Sequence, residues 1–328
     1  MSILVTGGLG YIGSHICTEL LQNGYHVIVI DNLCNSSIDV IEQIKNITGQ
    51  YIVFKEMDIL DQINMRALFS NYNIQYVIHL AGLKVVNESI GLPMEYYNNN
   101  IVGTLNLLQV MTDYGCKRII FSSSASVYGF NEYPISENGE VGRGLTNPYA
   151  RTKYMIEEVL KDMDNADNEW NMTILRYFNP IGNHPSGLIG DSCKFPTSIF
   201  PKLMNSAKTG SIFTIYGDNY ETKDGTAIRD YIHVSDLAEV HMIVLQLNNG
   251  LHIYNVGTNK GCSVLELINK FMEVNKVTIN YQFGKKREGD FACVYANSNK
   301  LYNDFGWIPK YGISEMCRDG WTYKKIEK

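Results

Sequence analysis

The stretch that decides the fold is Met1–Asp31, MSILVTGGLGYIGSHICTELLQNGYHVIVID. Ile3-Leu4-Val5 is a short apolar run without alternation, as suits a parallel strand buried on both faces. Thr6-Gly7-Gly8-Leu9-Gly10-Tyr11-Ile12-Gly13 follows at once, and Ile16, Leu20 and Leu21 then recur at helical spacing until Asn23-Gly24 ends the helix. A second apolar run, Val27–Ile30, stops on Asp31. Together these predict a βαβ unit with a glycine turn at the start of its helix. A Cβ in that turn, at Gly7, Gly10 or Gly13, would keep the backbone from a diphosphate lying against the helix N-terminus. Asp31, 18 residues past Gly13, stands where a carboxylate can accept hydrogen bonds from ribose hydroxyls.

The ligand that these residues imply is NAD rather than its 2′-phosphorylated form. Asp31 would repel a 2′-phosphate, and Asn32-Leu33-Cys34-Asn35-Ser36-Ser37 offers no Arg or Lys to receive one.

The αβ alternation continues downstream. Tyr51–Phe54 reads as a third strand leading to Asp58-Ile59, with a helical stretch over Met65–Phe69. Tyr76–His79 reads as a fourth, followed by the small-residue turn Leu80-Ala81-Gly82, against which a nucleotide can lie. Pro93 opens a long helical pattern through Leu105, Leu107, Leu108 and Val110, closed by Gly115. Arg118–Phe121, a fifth strand, runs into Ser122-Ser123-Ser124, and residues 129–146 form an excursion loop rich in turn residues. Asn147 caps a helix with Pro148 in its first turn, and Thr173–Leu175 is a sixth strand.

After Asn179-Pro180 the alternation falters. Helices are expected around 235–247 and 263–274, and short strands near 228–232 and 252–256. The fold class is therefore α/β, a Rossmann-type doubly wound parallel sheet with a smaller mixed α/β C-terminal substrate domain. A boundary near 180 gives residues 1–179 to the dinucleotide and 180–328 to the substrate, with some elements of the second part returning to the first.

The whole chain bounds the function classes. Its 328 residues carry a net charge of −6 and no basic run, against nucleic acid or an anionic membrane as partner. No stretch approaches the roughly 18–20 apolar residues that a bilayer requires, and a strand at residue 2 or 3 leaves no room for a secretory signal. The seven scattered cysteines contain no C-x-x-C pair, so neither a disulfide framework nor a metal site is expected, and a reducing cytoplasm fits.

The chemistry lies at 122–153. Tyr149 and Lys153 are four apart on one helix and share a face. A tyrosine of ordinary pKa, about 10, is a poor base at neutral pH; a neighbouring ammonium and the positive end of a helix are expected to lower it. In a chain with 22 tyrosines such a pair alone is an ordinary helix face. After a dinucleotide-type βαβ unit and a serine cluster at a strand end it reads as a catalytic pair, with Ser124 as partner of a substrate hydroxyl.

The T-G-x-x-G-x-x-G turn, the serine cluster and Tyr149-x-x-x-Lys153 resemble the extended short-chain dehydrogenase/reductase family. More narrowly, the chain is similar to the UDP-galactose (UDP-glucose) 4-epimerases along nearly its full length. That similarity rests on Gly7–His15, Asp31–Ser36, Ala81–Lys84, Tyr96–Gly103, Ser122–Gly129, Leu175–Gly182, His184–Gly187, Arg229–Val234 and Arg287–Asp290.

The resemblance implies reversible C4 epimerisation of a UDP-hexose with tightly bound NAD. Tyr149 takes the proton of the sugar 4-hydroxyl through Ser124 while hydride leaves C4 for NAD, and the 4-keto sugar turns over and takes the hydride back. Lys153 holds the nicotinamide ribose. Cofactor contacts map onto Tyr11, Ile12, Asn32, Asn35, Ser36, Asp58, Ile59, Leu80, Ala81, Gly82, Lys84, Asn99, Ser122 and Phe178. The UDP-sugar grip maps onto Asn179, Arg229, Arg287 and Asp290; the planar fork of Arg287 suits a diphosphate. A homodimer through helices near 93–114 and 148–163 is also implied.

Three departures from the family pattern stand out. Leu80 replaces the usual Phe. The segment 190–200 lacks the usual Pro-Asn-Asn, so Ser198 takes the place of a substrate-contacting Asn. Val294, four past Asp290, occupies a gate position at which a small side chain implies room for an N-acetyl group; UDP-N-acetylglucosamine and UDP-N-acetylgalactosamine are therefore expected substrates beside the plain hexoses. Other readings are a different nucleotide-sugar epimerase or 4,6-dehydratase, a net dehydrogenase, and a non-catalytic NAD-sensing module. A dehydratase needs a further acid and base where Ala125-Ser126 follow Ser124, and a sensing module tends to lose the Tyr or Lys retained here.

Overall fold

The structure is a computed structural model that describes residues 1–191, 198–287 and 289–323. Its backbone begins with the predicted β1 (Ser2–Thr6), α1 (Tyr11–Gln22) and β2 (His26–Asp31), and goes on through α2 (Val40–Thr48), β3 (Val53–Glu56), α3 (Gln62–Asn71) and β4 (Tyr76–His79). Then come α4 (Val86–Gly91), α5 (Pro93–Tyr96), a π-helical turn at Tyr97–Val102, and α6 (Gly103–Asp113). After β5 (Arg118–Ser124) and a 3₁₀ turn at Ala125–Tyr128, the chain runs through α7 (Pro148–Ala166), β6 (Asn171–Tyr177) and β7 (Asn179–Ile181). The remainder is α8 (Ile199–Thr209), β8 (Phe213–Tyr216), β9 (Ile228–His233), α9 (Val234–Val244), β10 (Gly250–Val256), β11 (Gly261–Ser263), α10 (Val264–Asn275), β12 (Tyr281–Gly284), β13 (Cys293–Val294), α11 (Asn299–Phe305) and α12 (Ile313–Thr322).

The residues group into two compact units. One comprises Met1–Gly129, Glu140–Arg176 and Ala238–Tyr254; the other takes the described residues of Phe130–Gly139, Tyr177–Leu237 and Asn255–Lys328. Part of the 129–146 excursion thus belongs with the second unit, where Ile135 bridges Ala296.

The first unit is built on a seven-stranded sheet of order β10-β6-β5-β4-β1-β2-β3. β1 lies parallel between β2 and β4, with Thr6 opposite Ile30 on one side and His79 on the other. The strand order reverses at β1, which makes its carboxyl end the switch point where doubly wound sheets bind ligands. Ile3, Leu4, Val5 and Ile28 are fully buried, as the unalternating runs require. Leu107, Leu108 and Met111 of α6 and Ile156 and Leu160 of α7 join the same apolar core.

Two elements depart from expectation. The third strand is β3, two residues later than Tyr51–Phe54. The single helix expected from Pro93 is interrupted by the π turn, which inserts Asn98-Asn99-Asn100 into the helical path.

In the second unit β9 pairs antiparallel with β11, while β13 and β7 run parallel to successive parts of it: Val294 is opposite Arg229 and Asn179 is opposite Tyr231. β8 and β12 form a separate parallel pair. Leu203, Leu267, Ile268 and Phe271 centre a second core.

Below the switch point, polar side chains lock β1, β4 and α6. Thr6 Oγ1 accepts the N–H groups of Leu80 (3.2 Å) and Ala81 (3.1 Å), which leaves its own proton for His79 Nδ1 at 2.7 Å. His79 Nε2 therefore carries the ring proton toward Thr104 Oγ1 at 2.8 Å, and Thr104 passes its own to the Asn100 carbonyl at 2.6 Å. Burial, with the charge of Lys153 second, pulls the His79 pKa down to about 3. The unfolded chain, with an ordinary histidine near 6.5, binds the extra proton between these values. This contribution is present above pH 6.5 and is lost as the pH falls toward 3, by up to about 1.4 kcal/mol per pH unit. Urea titrations between pH 4 and 7 should show the wild type losing stability more steeply on acidification than His79→Gln, by about one proton; equal slopes would remove His79 from the acid response.

Candidate active site

The glycine turn closes tightly around the start of α1. Gly7 has φ +68°, and a Cβ there would sit 2.9 Å from the Ala81 nitrogen; one on Gly13 would sit 2.3 Å from the Gly7 carbonyl oxygen. The N-cap of α1 is Gly10, which has no side chain to offer the first turn, and Tyr11 and Ile12 open the helix. Backbone N–H groups at such an end suit an anion.

Asp31 at the end of β2 is 8% exposed. It accepts the Leu9 N–H at 3.1 Å, the Leu33 N–H at 3.0 Å and the Ser36 hydroxyl at 2.8 Å, which ties the turn to the loop that follows β2. Asn32 donates to Asp58 at 2.8 Å, and Asp58 also holds the Leu60 N–H at 2.8 Å. Asn35 and Lys84 are exposed, and Ile59 is buried against Gly103. A cradle with no room for a Cβ, an open helix end and a nearly buried carboxylate with no ion-paired cation among the described residues fit NAD.

Asn100, buried in the π turn, is a site residue that the sequence reading passed over. Its Oδ1 accepts the Leu83 N–H and the Asn99 amide, both at 2.8 Å; its amide donates to the Leu83 carbonyl at 3.0 Å and to Thr152 Oγ1 at 3.1 Å. One side chain thereby fixes the loop after Gly82 against α7. Its only sequence signal was a polar triplet inside a helical pattern.

The serine run ends β5, and α7 crosses it. Asn147 caps α7 by accepting the Ala150 N–H at 2.9 Å, with Pro148 at the first position, so Tyr149 lies in the first turn. Lys153, 6% exposed, donates to the Ser122 carbonyl at 2.6 Å and lies over the Phe121 ring at 4.8 Å. Burial pulls its pKa down to about 8, opposed by the charge of Glu157. Ser124 Oγ receives the Ser126 N–H at 3.2 Å and its hydroxyl at 2.9 Å.

The expected lowering of Tyr149 is not found. Burial raises its pKa, and a hydrogen bond with Ser124 only partly offsets the rise. The physical reason is that desolvation outweighs any help from Lys153, whose ammonium is committed to the Ser122 carbonyl.

A second group of candidates gathers in the second unit. Arg229 pairs with Asp290 and donates to the Ile228 carbonyl at 2.7 Å. Tyr220 reaches Asp290 at 3.5 Å, and Lys286 lies 4.4 Å over the Tyr220 ring. Arg287 stacks its guanidinium 4.3 Å over Tyr216, and the lowered pKa of Lys202 reflects burial first and the charge of Arg287 second. Asn179 donates to the Asp230 carbonyl at 3.1 Å. Val294 is partly buried beside Arg229, and the Phe178 N–H meets the Val256 carbonyl at 3.1 Å. Tyr216, Tyr220 and Lys202 had no motif to reveal them. Ser198 is exposed at the start of α8, 3.5 Å from Asp191; most of the segment that departs from the family pattern, residues 192–197, lies outside the described residues.

Among the described residues no cluster of His, Cys, Asp and Glu is placed to hold a metal ion, and no helix is long and apolar enough to cross a membrane.

Known proteins resemble this chain along nearly its whole length. The model of the NAD dependent epimerase/dehydratase family matches residues 3–257. The UDP-glucose 4-epimerase of Bacillus subtilis (strain 168) is 47% identical over 331 residues, covering 99% of this chain and 97% of its own. The crystal structure of UDP-glucose 4-epimerase from Bifidobacterium longum, in complex with NAD+ and UDP, matches with a TM-score of 0.96 at 42% identity, with 98% of each chain covered. The UDP-Glc/GlcNAc 4-epimerase of Campylobacter jejuni matches with a TM-score of 0.83 at 34% identity, again over 98% of each chain.

Proposed function

We infer the reaction from the family to which the chain belongs, the NAD dependent epimerase/dehydratase family. It is an NAD-dependent isomerase that interconverts UDP-glucose and UDP-galactose by inverting C4 through a 4-keto sugar. On the chain's own residues one juxtaposition carries this reading: Tyr149 and Lys153 on one face of α7, with Ser124 at the end of β5 near enough to lower the Tyr149 pKa.

Tyr149 takes the proton of the 4-hydroxyl, with Ser124 as the bridge, and returns it once the keto sugar has turned. Bound NAD supplies a hydride acceptor and donor for C4 and a positive charge on its nicotinamide ring. Gly7, Gly10, Gly13 and the first turn of α1 would hold its diphosphate, Asp31 the adenosine ribose and Lys153 the nicotinamide ribose. In the second unit Arg229, Arg287, Asp290 and Asn179 would grip the UDP portion and leave the hexose free to rotate. The bidentate fork of an arginine suits a diphosphate for this purpose.

A smaller side chain than tyrosine at position 294 supports activity on UDP-N-acetylglucosamine and UDP-N-acetylgalactosamine as well. We also propose a homodimer. Ile90 (58% exposed), Met94 (75%) and Leu105 (44%) leave an apolar face on α4–α6, and Met155 (43%) adds to it from α7.

Three outcomes test these assignments. Tyr149→Phe should slow conversion of UDP-galactose about 10³-fold without added NAD, read from the anomeric protons by NMR; full-speed conversion would defeat the mechanism. Val294→Tyr should cut turnover of the N-acetylated pair about tenfold or more and spare the plain pair, as a filled pocket rejects the bulkier ligand; equal loss of both would count against the gate. Met94→Glu with Leu105→Glu should give a monomer by sedimentation, whereas an unchanged sedimentation coefficient would move the dimer face elsewhere.

A further inference from the structure

One turn beyond Lys153 on α7 is Glu157, a residue the reaction above does not use. It is fully buried, yet its carboxylate is met from two strands. The Ser123 hydroxyl donates to Oε1 at 2.5 Å, Arg176 Nε donates to the same oxygen at 3.0 Å, and Arg176 Nη2 donates to Oε2 at 2.6 Å. Arg176, 1% exposed, then donates Nη1 to the Tyr128 hydroxyl at 2.9 Å. A single carboxylate therefore ties α7 to β5 and β6, and through Arg176 to the 3₁₀ turn that follows Ser124.

Ser123 is the middle of the serine run. On one side of it the Ser122 carbonyl holds Lys153, and on the other Ser124 acts on the pKa of Tyr149. We propose that Glu157, held by Arg176, is a positioning residue for the epimerisation: it fixes the serine run of β5 against α7, and with it the places of Ser124 and Lys153. This rests on the assignment of Tyr149, Lys153 and Ser124 to the reaction.

Stability alone does not account for the arrangement. A buried ion pair is often no better than well-packed apolar residues of the same volume. Apolar residues could not aim a serine hydroxyl or set a negative charge beside a buried ammonium. Among the described residues Glu157 on α7 and His79 on β4 couple to Lys153, burial keeping His79 neutral, and Tyr149 lies one turn before it on α7. Behind Glu157 stand Arg176 on β6 and Tyr128, while β5 itself contributes Ser122 and Phe121. Of these named groups Glu157 is the anion, and its charge favours the ammonium form of Lys153. Without it Lys153 loses its proton at lower pH.

The test is the pH dependence of kcat and KM for UDP-galactose, measured on the NAD-loaded enzyme, with folding checked by circular dichroism. Glu157→Gln should lower kcat about tenfold or more with KM little changed, and should move the alkaline limb of kcat to lower pH by about half a unit or more. Arg176→Gln, which takes away the buried partner that holds the carboxylate, should also lower kcat with KM little changed. Ser123→Ala keeps the ion pair and decides the matter if Glu157→Gln does not fold: its kcat should fall about three- to tenfold, the worth of one hydrogen bond. An unmoved limb in Glu157→Gln, or an unchanged kcat in Ser123→Ala, would overturn the proposal. Tyr149→Phe measured alongside separates the two layers. Full activity there sinks the site assignment, whereas an inactive Tyr149→Phe beside an unmoved Glu157→Gln profile sinks the positioning role alone.

Discussion

An ammonium that is 6% exposed has to be satisfied by its surroundings, and much of the first unit is arranged around that of Lys153. A carbonyl accepts its hydrogen bond, an aromatic face lies below it, and a carboxylate stands one turn away. Its charge also helps keep His79 neutral, which fixes the tautomer that links Thr6 to Thr104. Because Thr6 receives the N–H groups at Leu80 and Ala81, the same charge bears indirectly on the turn beside which the glycines of α1 close. The chemistry and the cradle are thus parts of one polar network under the sheet's carboxyl edge.

Much of this was legible in the sequence, and what was not has definite causes. The βαβ unit could be read because steric demand at Gly7 and Gly13 and burial on both faces of β1 leave few residue types permissible. The cap of α7 could be read because Asn147-Pro148 satisfies two local rules at once. β3 was misplaced by two residues because Tyr51, a good strand former, is 68% exposed, while the strand itself sits at the sheet edge and ends in the exposed pair Lys55-Glu56. The π turn was invisible because its apolar spacing still matches a helix. Glu157 on α7 and Arg176 on β6 were passed over because a charged side chain reads as solvent-facing, and only the fold shows that each is the other's partner.

The second unit was legible mainly through resemblance. β7, β11 and β13 have two or three residues each, too few for a periodicity to register. Arg229 and Asp290, 61 positions apart, meet only because β13 is laid along β9 with Val294 against Arg229. The stacking of Arg287 on Tyr216 and of Lys286 on Tyr220 is cation–π contact, which leaves no spacing rule in a sequence. A cluster this rich in donors suits a ligand whose charge is spread over several oxygens.

The rise in the Tyr149 pKa bears on the role proposed for it, that of one residue serving both halves of a symmetrical reaction. A base that removes a proton must give it back after the carbon has inverted, so neither protonation state can be strongly preferred at the working pH. The sequence suggested only the lowering influences, an ammonium and a helix end. Burial contributes the opposing one, and it prevails in the chain by itself. Positive charge added to the site then acts on a phenol that starts high rather than on one already ionised. The same opposition holds Lys153 near 8, where desolvation and the carboxylate of Glu157 pull in contrary directions. Burial by itself thus holds Tyr149 in the protonated form, and only positive charge added to the site, as bound NAD would bring, would favour the phenolate.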